Sequence, residues 1–413
     1  MIIKIIRNLC RILLGMCFVF TGFLKGVDPL GSMYKIEDYL TVLHLSSLLP
    51  FSLPLAILLN GAEFLIGVAL IMNLRIRTSS WMALIFMVFF TILTLVSAIF
   101  NLVSDCGCFG EAIKISNWQT FFKNIILIIL ALIVFAERKQ FKSTIKALSQ
   151  WLIVFLIAVI FIVFSVYSYK HLPVINFLPY KIGVNIPENM VVPQGKPKDI
   201  YETRLYYKKN GEVKEFTMTD YPWKDTMWKW VDTKSVLIKE GYKPPIHDFV
   251  ISNTDGEDVT EEILSDTGYV MLVVSYNLSE ANPGALKKIV YYANYFNSTR
   301  KVKIYLTTAT SASVIAKMNL DTLNSMRILN MDQTVLKTII RSNPGLVLLK
   351  QGAIISTWHY NDIPDFTKMN SDFLFSQLQQ SKSDMEVHTI LNLFLIFGII
   401  LFIAYKMAVR TSK

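Results

Sequence analysis

Residues 101–118 read NLVSDCGCFGEAIKISNW, a short polar stretch carrying the pair Cys106-Gly107-Cys108. Long apolar runs at about 80–100 and 119–136 flank it, each near the ~17–25 residues a helix needs to cross hydrocarbon. That arrangement predicts a membrane helical hairpin with its thiols at one membrane face. Further apolar runs lie at about 8–25, 53–74, 151–169 and 389–405, giving six predicted crossings. The whole chain of 413 residues is 53% hydrophobic, well above a soluble domain. Between the fifth and sixth runs lie about 215 residues of mixed composition, enough for a sizeable core.

The net charge of +10 raises the possibility of nucleic acid, but its distribution argues otherwise. Lys4, Arg7, Arg11, Arg75, Arg77, Arg138, Lys139, Lys142, Lys146, Lys406, Arg410 and Lys413 all fall on one set of helix edges. Those twelve cations face a single acid, Glu137, so they supply +11 and the remainder sums to about −1. Positive residues are retained on the cytoplasmic side, so both termini are expected inside. The loop at 101–118 and the segment 171–386 then face outward, and nucleic-acid binding is excluded. The first run has the basic flank of a signal peptide but no small-x-small cleavage site, so a retained helix is expected.

Four cysteines are too few for a disulfide-stapled fold. Cys10 and Cys17, seven residues apart on roughly one face of the first helix, read as small buried hydrophobes. Cys106 and Cys108 lie instead in a glycine-bearing loop on the oxidising side, where disulfides form and exchange. A Cys-Gly-Cys ring is very small and needs the freedom of Gly107; strained bonds of this kind suit exchange more than stapling. Asp105 and Glu111 would oppose thiolate formation unless offset. An inert crosslink and a metal half-site are the alternatives, the latter weak because no His accompanies the pair. No metal is expected.

Glu63, deep in the second run with Asn60 on its face, should be protonated or paired. A proton relay at a quinone or thiol site is one reading; helix–helix hydrogen bonding is the plainer one. Lys25, at the outer end of the first helix, could pair with a carboxylate or reach the headgroups. Thr91, Thr94 and Ser97 form a polar stripe that helix packing explains.

Three segments of the first 136 residues resemble the DoxX/MauE family of four-helix, redox-associated membrane proteins. They are Phe20-Thr21-Gly22-Phe23-Leu24-Lys25 with Asp28-Pro29, then Glu63 with Gly67, and Cys106-Gly107-Cys108-Phe109-Gly110. The resemblance implies thiol or sulfur redox chemistry beside a thioredoxin-like partner. By helix count and cysteine placement the bundle is also similar to quinone-linked disulfide-forming proteins, which implies a quinone cofactor with Glu63 and Lys25 as candidate binding or proton-relay residues.

In the outward segment, two β-type runs around Asn210-Gly211 predict a hairpin within Tyr201–Met218. A Trp-rich stretch with Trp223, Trp228 and Trp230 follows, expected as packing between subdomains. From about 244 strands and helices alternate: strand Tyr269–Ser275, helix 283–296, strand Lys303–Thr307, helices 311–319 and 332–341, then strands Leu346–Leu349 and Ala353–Trp358. This β-α-β-α-β-β order is similar to a thioredoxin-fold domain of the peroxiredoxin/TlpA type, with Pro344 at the place of that fold's cis proline. Where the fold carries Cys-x-x-Cys, this chain has Ser275-Tyr276-Asn277-Leu278-Ser279-Glu280, and no cysteine occurs from 171 to 413. Dithiol exchange by this domain is excluded. His247 and His359 read as structural.

The expected fold is therefore a membrane α-helical bundle with an extracytoplasmic α/β thioredoxin-like domain. It divides into a four-helix membrane domain at 1–136, a basic cytoplasmic loop at 137–150 and a fifth transmembrane helix at 151–169. An extracytoplasmic lead-in with hairpin at 170–243, the thioredoxin-like domain at 244–386 and a C-terminal transmembrane helix at 387–408 complete it. The expected function is thiol–disulfide or quinone-linked electron transfer in a bacterial inner membrane, with Cys106 and Cys108 catalytic and an extracytoplasmic thiol or client protein as partner. The competing class is a membrane-anchored scaffold with a structural loop disulfide; a solute transporter finds little support.

Overall fold

A computed structural model describes residues 2–368 except 104, 105, 144, 240, 300, 301, 319–322 and 324. The predicted sixth crossing and Asp105 lie outside the described residues. The chain begins with α1 (Ile2–Val27), then α2 (Pro29–Val42), and a 3-10 turn, Ser46–Phe51, leads into α3 (Ser52–Ile71). Three long helices follow: α4 (Ile76–Phe100), α5 (Asn117–Ala136) and α6 (Ala147–Lys170). Among the described residues, Ser46–Ile71, α4, α5 and α6 are long and apolar enough to cross a membrane.

Glycines set how closely the bundle packs. A Cβ on Gly67 of α3 would lie 2.6 Å from the Val19 amide nitrogen, and one on Gly22 of α1 would lie 2.7 Å from that of Phe64. Backbones can approach so closely only across small residues, and without a hydrophobic drive between helices such packing holds a membrane bundle together. Cys10, Leu14 and Phe18 of α1 join one apolar cluster with α3, α4 and α5, while Phe64 and Phe161 stack between α3 and α6. Thr94 and Ser97 of the polar stripe on α4 are buried in helix packing and Thr91 is half-buried; Asn124 of α5 donates to Thr94 Oγ1 at 3.1 Å and to the Phe90 carbonyl at 3.3 Å.

The α2 helix was absent from the sequence reading. Its start is nevertheless encoded, because Asp28 caps it by accepting from the Gly31 amide at 2.9 Å and Pro29 occupies its first turn. The Asp28-Pro29 dipeptide is thus a helix start as well as a motif.

After a short helix α7 (Ile186–Met190) comes a three-stranded antiparallel sheet of β1 (Ile200–Lys209), β2 (Glu212–Thr217) and β3 (Lys229–Lys239), in the order β2-β1-β3. Asn210 and Gly211 both have positive φ, the geometry of a tight hairpin turn. The third strand was not anticipated. It takes up part of the Trp-rich stretch, and Trp223 and Trp230 are exposed instead of packed between subdomains; only Trp228 packs, edge-on to Phe216.

The remaining elements are β4 (Ile251–Ser252), α8 (Thr260–Leu264), β5 (Tyr269–Ser275), α9 (Pro283–Thr299), β6 (Val302–Thr308), α10 (Ala312–Lys317), β7 (Arg327–Met331), α11 (Gln333–Ile339), β8 (Gly345–Lys350) and β9 (Ala353–His359). They form a six-stranded sheet ordered β4-β7-β6-β5-β8-β9, in which β5, β6 and β7 are parallel and β8 and β9 antiparallel. Apolar clusters cover both faces, which explains why central β5 is an unbroken apolar run. The sequence reading missed β7, a five-residue strand whose exposed Arg327 and half-buried Asn330 mask its apolar positions. The lead-in also does not stand apart. Gly183 and Val184 exchange backbone hydrogen bonds with Ile354, and Tyr180 and Ile186 are buried in the sheet's core.

Candidate functional site

The thiol loop starts where Asn101 leaves α4 in a left-handed conformation, and it ends at Ser116, whose capping box with Gln119 starts α5. Gly107 has φ +59°, and a Cβ there would lie 2.9 Å from Lys35 Cγ of α2. Glycine thus meets both demands of the position, an unusual backbone and a close neighbour.

The two thiols point to different surroundings. Cys106 Sγ accepts from the Tyr39 hydroxyl at 3.3 Å and donates to Asn117 Oδ1 at 3.3 Å. Tyr39 OH also lies 3.0 Å from Ser97 Oγ, and Asn117 donates to the Val103 carbonyl at 2.8 Å. Burial pushes the Tyr39 phenol above its ordinary range, and the bond to Cys106 adds to the shift, so it stays a proton donor.

Cys108 faces a small, partly open cavity between α1, α3, α4 and α5. Its polar walls are Cys17, Thr21 and Lys25 of α1, Glu63 of α3, and Lys123 and Asn124 of α5; Phe18, Phe86 and Phe90 supply aromatic surface. Glu63 is buried and paired: Lys25 Nζ lies 2.7 Å from Oε2 and Thr21 Oγ1 donates to Oε1 at 2.5 Å. Of the two expectations for Glu63, protonated or paired, the geometry shows the pairing with Lys25. Asn60 shares its helix face but serves elsewhere, donating to the Lys25 carbonyl at 3.2 Å and to Ser32 Oγ at 3.0 Å.

Of the residues singled out from sequence, Cys108, Glu63 and Lys25 therefore share one cavity, while Cys106 turns away from it toward α2. Four participants were missed. Cys17 and Lys123 line the cavity, Tyr39 bonds to Cys106, and Arg341 reaches the loop from the α/β body. The Cys17-Thr21-Lys25 series, spaced by four, was a legible signal for one helix face; nothing in the local sequence marked the others.

Arg341, just after α11, inserts between the α/β body and the bundle. Its Nε lies 2.9 Å from Asp28 Oδ2 and its Nη2 2.8 Å, and Nη2 is 3.6 Å from Glu111 Oε1 in the thiol loop. Burial works against the guanidinium charge, but Asp28 outweighs it and holds the group above its ordinary range. Lys337 adds a 3.8 Å contact to Glu37 and lies over the Tyr34 ring, and Tyr34 meets Tyr276 edge-on. Glu111 also pairs with Lys114, so the acid that was expected to oppose thiolate formation faces two cations.

The stretch aligned with the missing Cys-x-x-Cys is occupied by side-chain hydrogen bonds. Ser275 donates to Asn343 Oδ1 at 2.7 Å, and Asn343 donates to the Asn277 carbonyl at 2.8 Å. The Asn343–Pro344 bond is cis, as the sequence position predicted.

Residues 3–137 match the family described as methylamine utilisation protein MauE. The first third of the chain is MauE-like. A second match, to a domain of unknown function (DUF8463), covers residues 201–240, the span of the three-stranded sheet. No curated protein matches the chain. Among solved structures, the mitochondrial 2-cys peroxiredoxin from Plasmodium falciparum is 16% identical over 35% of this chain and 93% of its own, with a TM-score of 0.20. A score that low carries no argument. The MauE-like region and its long apolar helices indicate a multi-pass membrane protein.

Proposed function

We propose that the chain is a membrane thiol–disulfide electron-transfer protein working through Cys106 and Cys108. The observation that carries this reading is the divergence of the two thiols. Cys106 sits among hydrogen-bond donors and acceptors at the α2 edge, while Cys108 opens onto the Lys25–Glu63 cavity. One thiol can then meet a protein partner while the other communicates with the bundle.

In the exchange step, a partner thiolate attacks one sulfur of the Cys106–Cys108 disulfide. A mixed disulfide forms, the other cysteine leaves as a thiolate, and the partner's second thiolate resolves the bond. Two electrons enter the loop and the partner leaves oxidised. Tyr39 stabilises thiolate on Cys106 by donating its hydroxyl hydrogen. The aromatic walls and the Lys25 and Lys123 ammonium groups suit a quinone head group. Bound there, a quinone supplies an acceptor for two electrons and two protons. Lys25, Glu63 and Thr21 hold the protonic groups of that cavity in place.

The charge distribution supports an orientation with the thiol loop and the α/β body on the periplasmic side of a bacterial inner membrane. The α/β body, which has no cysteine, serves as a docking element over the loop, and the partner is an extracytoplasmic thiol protein. A scaffold reading is favoured by one specific observation, the Arg341–Asp28 contact that fastens this body to the bundle. Thiol trapping across a redox titration separates the two. Cys106 and Cys108 should interconvert between alkylatable and protected forms, and Cys→Ser at both should abolish exchange. A pair locked in one state across the titration would leave only the scaffold.

A further inference from the structure

Cys17 and Cys108 line the same cavity, from α1 and from the thiol loop. The loop reaches down to this level: Phe109, next to Cys108, packs against Phe20, three residues from Cys17, with ring centroids 6.2 Å apart. Thr21 and Lys25 continue the same face of α1 at spacings of four, and both bind Glu63. A cysteine buried purely as a hydrophobe, as Cys10 is among Leu14 and Phe18, needs none of this polar company.

We infer that Cys17 is a third exchange thiol, which draws the loop disulfide into the membrane as a Cys17–Cys108 bond. The inference rests on the redox reading of the loop. Cys17, as thiolate, attacks Cys108 Sγ of the Cys106–Cys108 disulfide. The Cys17–Cys108 bond forms as the Cys106–Cys108 bond breaks, and the electron pair of the broken bond stays on Cys106. The proton given up by Cys17 passes to Glu63, the carboxylate lining the cavity, and Cys106 departs as a thiolate held by the Tyr39 hydroxyl. No net oxidation occurs, so no further reagent is needed. The step relieves a small Cys-Gly-Cys ring and leaves Cys106 as a thiolate in the loop, able to attack an incoming partner disulfide. Cys108 is thereby the hinge between an outer pair and an inner pair.

The test uses the full-length chain in membranes, equilibrated in glutathione redox buffers, quenched with an alkylating reagent and mapped by mass spectrometry. In Cys106→Ser, a Cys17–Cys108 peptide pair is expected in most oxidised chains and should vanish when Cys17→Ala is added. The unsubstituted chain, whose fold is not in question, should show both Cys106–Cys108 and Cys17–Cys108 bonds at intermediate potentials. Detection of Cys106–Cys108 alone in the unsubstituted chain, with Cys17 always alkylatable in Cys106→Ser, overturns the inference. Failure of the underlying loop reading looks different: Cys17–Cys108 still forms in Cys106→Ser, but Cys106–Cys108 in the unsubstituted chain never equilibrates with glutathione. That result leaves the inner pair standing and removes the outer one.

Discussion

Arg341 and Asp28 are 313 positions apart and form a buried ion pair, with Nη2 2.8 Å from Oδ2 and both side chains almost fully excluded from solvent. Asp28 simultaneously caps α2, so the same carboxylate starts the helix that carries Tyr39 and anchors the body whose Arg341 reaches Glu111 of the thiol loop. Folding of the two regions is thereby linked to the loop's geometry.

Removing one member of this pair should be costly, because it strands the other charge away from water. Arg341→Ala is expected to cost roughly 3–5 kcal/mol, and adding Asp28→Asn should cost less than the sum of the single changes. A double-mutant cycle on thermal unfolding of the detergent-solubilised chain measures the coupling. Additive losses would show that the two residues do not interact.

The same reasoning applies inside the bundle. Lys25→Met leaves Glu63 buried with only Thr21 as partner, and a loss of about 3–5 kcal/mol is expected. Combining it with Glu63→Gln should recover much of that stability, since no uncompensated charge remains. Unfolding midpoints of the three variants decide the matter; an unchanged midpoint for Lys25→Met alone would contradict the pairing.

Tyr39→Phe deletes the hydroxyl that donates to Cys106 and leaves the ring in place. Hydrogen bonds to charged groups contribute about 1.5–3 kcal/mol, so the Cys106 thiolate should become markedly less accessible. Alkylation of Cys106 at neutral pH, measured in a Cys108→Ser background, is expected to slow by about tenfold or more. Equal rates with and without the hydroxyl would remove Tyr39 from the site.

His359 provides a pH signature for the α/β body. It is buried, its Nδ1 accepts from the Asn361 amide at 3.2 Å, and burial lowers its pKa to about 4. In the unfolded chain the ring titrates near 6.5, so between these values the unfolded state binds more protons and stability falls as pH falls. The loss is absent above about pH 6.5, grows down to about pH 4, and then levels off near roughly 3 kcal/mol. Unfolding midpoints across that window should decline in the parent chain and decline less in His359→Gln. A parallel decline in both would assign the effect to other groups.

Much of the fold was legible because its signals are local. Apolar runs near membrane thickness marked α3 to α6, Asn210-Gly211 marked the hairpin, and the unbroken run Tyr269–Ser275 marked a strand buried on both faces. Elements without such signals were missed. The β7 strand is short and carries polar residues, and α2 has a cap but a weak apolar pattern.

The sequence by itself determined that Cys106 and Cys108 share a short glycine-bearing loop between apolar helices, and that the α/β body has no cysteine. Spacing of three or four residues on a helix and alternation along a strand express such facts locally. Tertiary structure alone decided that Cys108 and Cys17 line one cavity, that Lys25 is the partner of Glu63, and that Arg341 closes on Asp28. Those contacts join residues tens to hundreds of positions apart. Only the close backbone approach at Gly22 and Gly67 and the docking of the α/β body onto α2 bring them within reach.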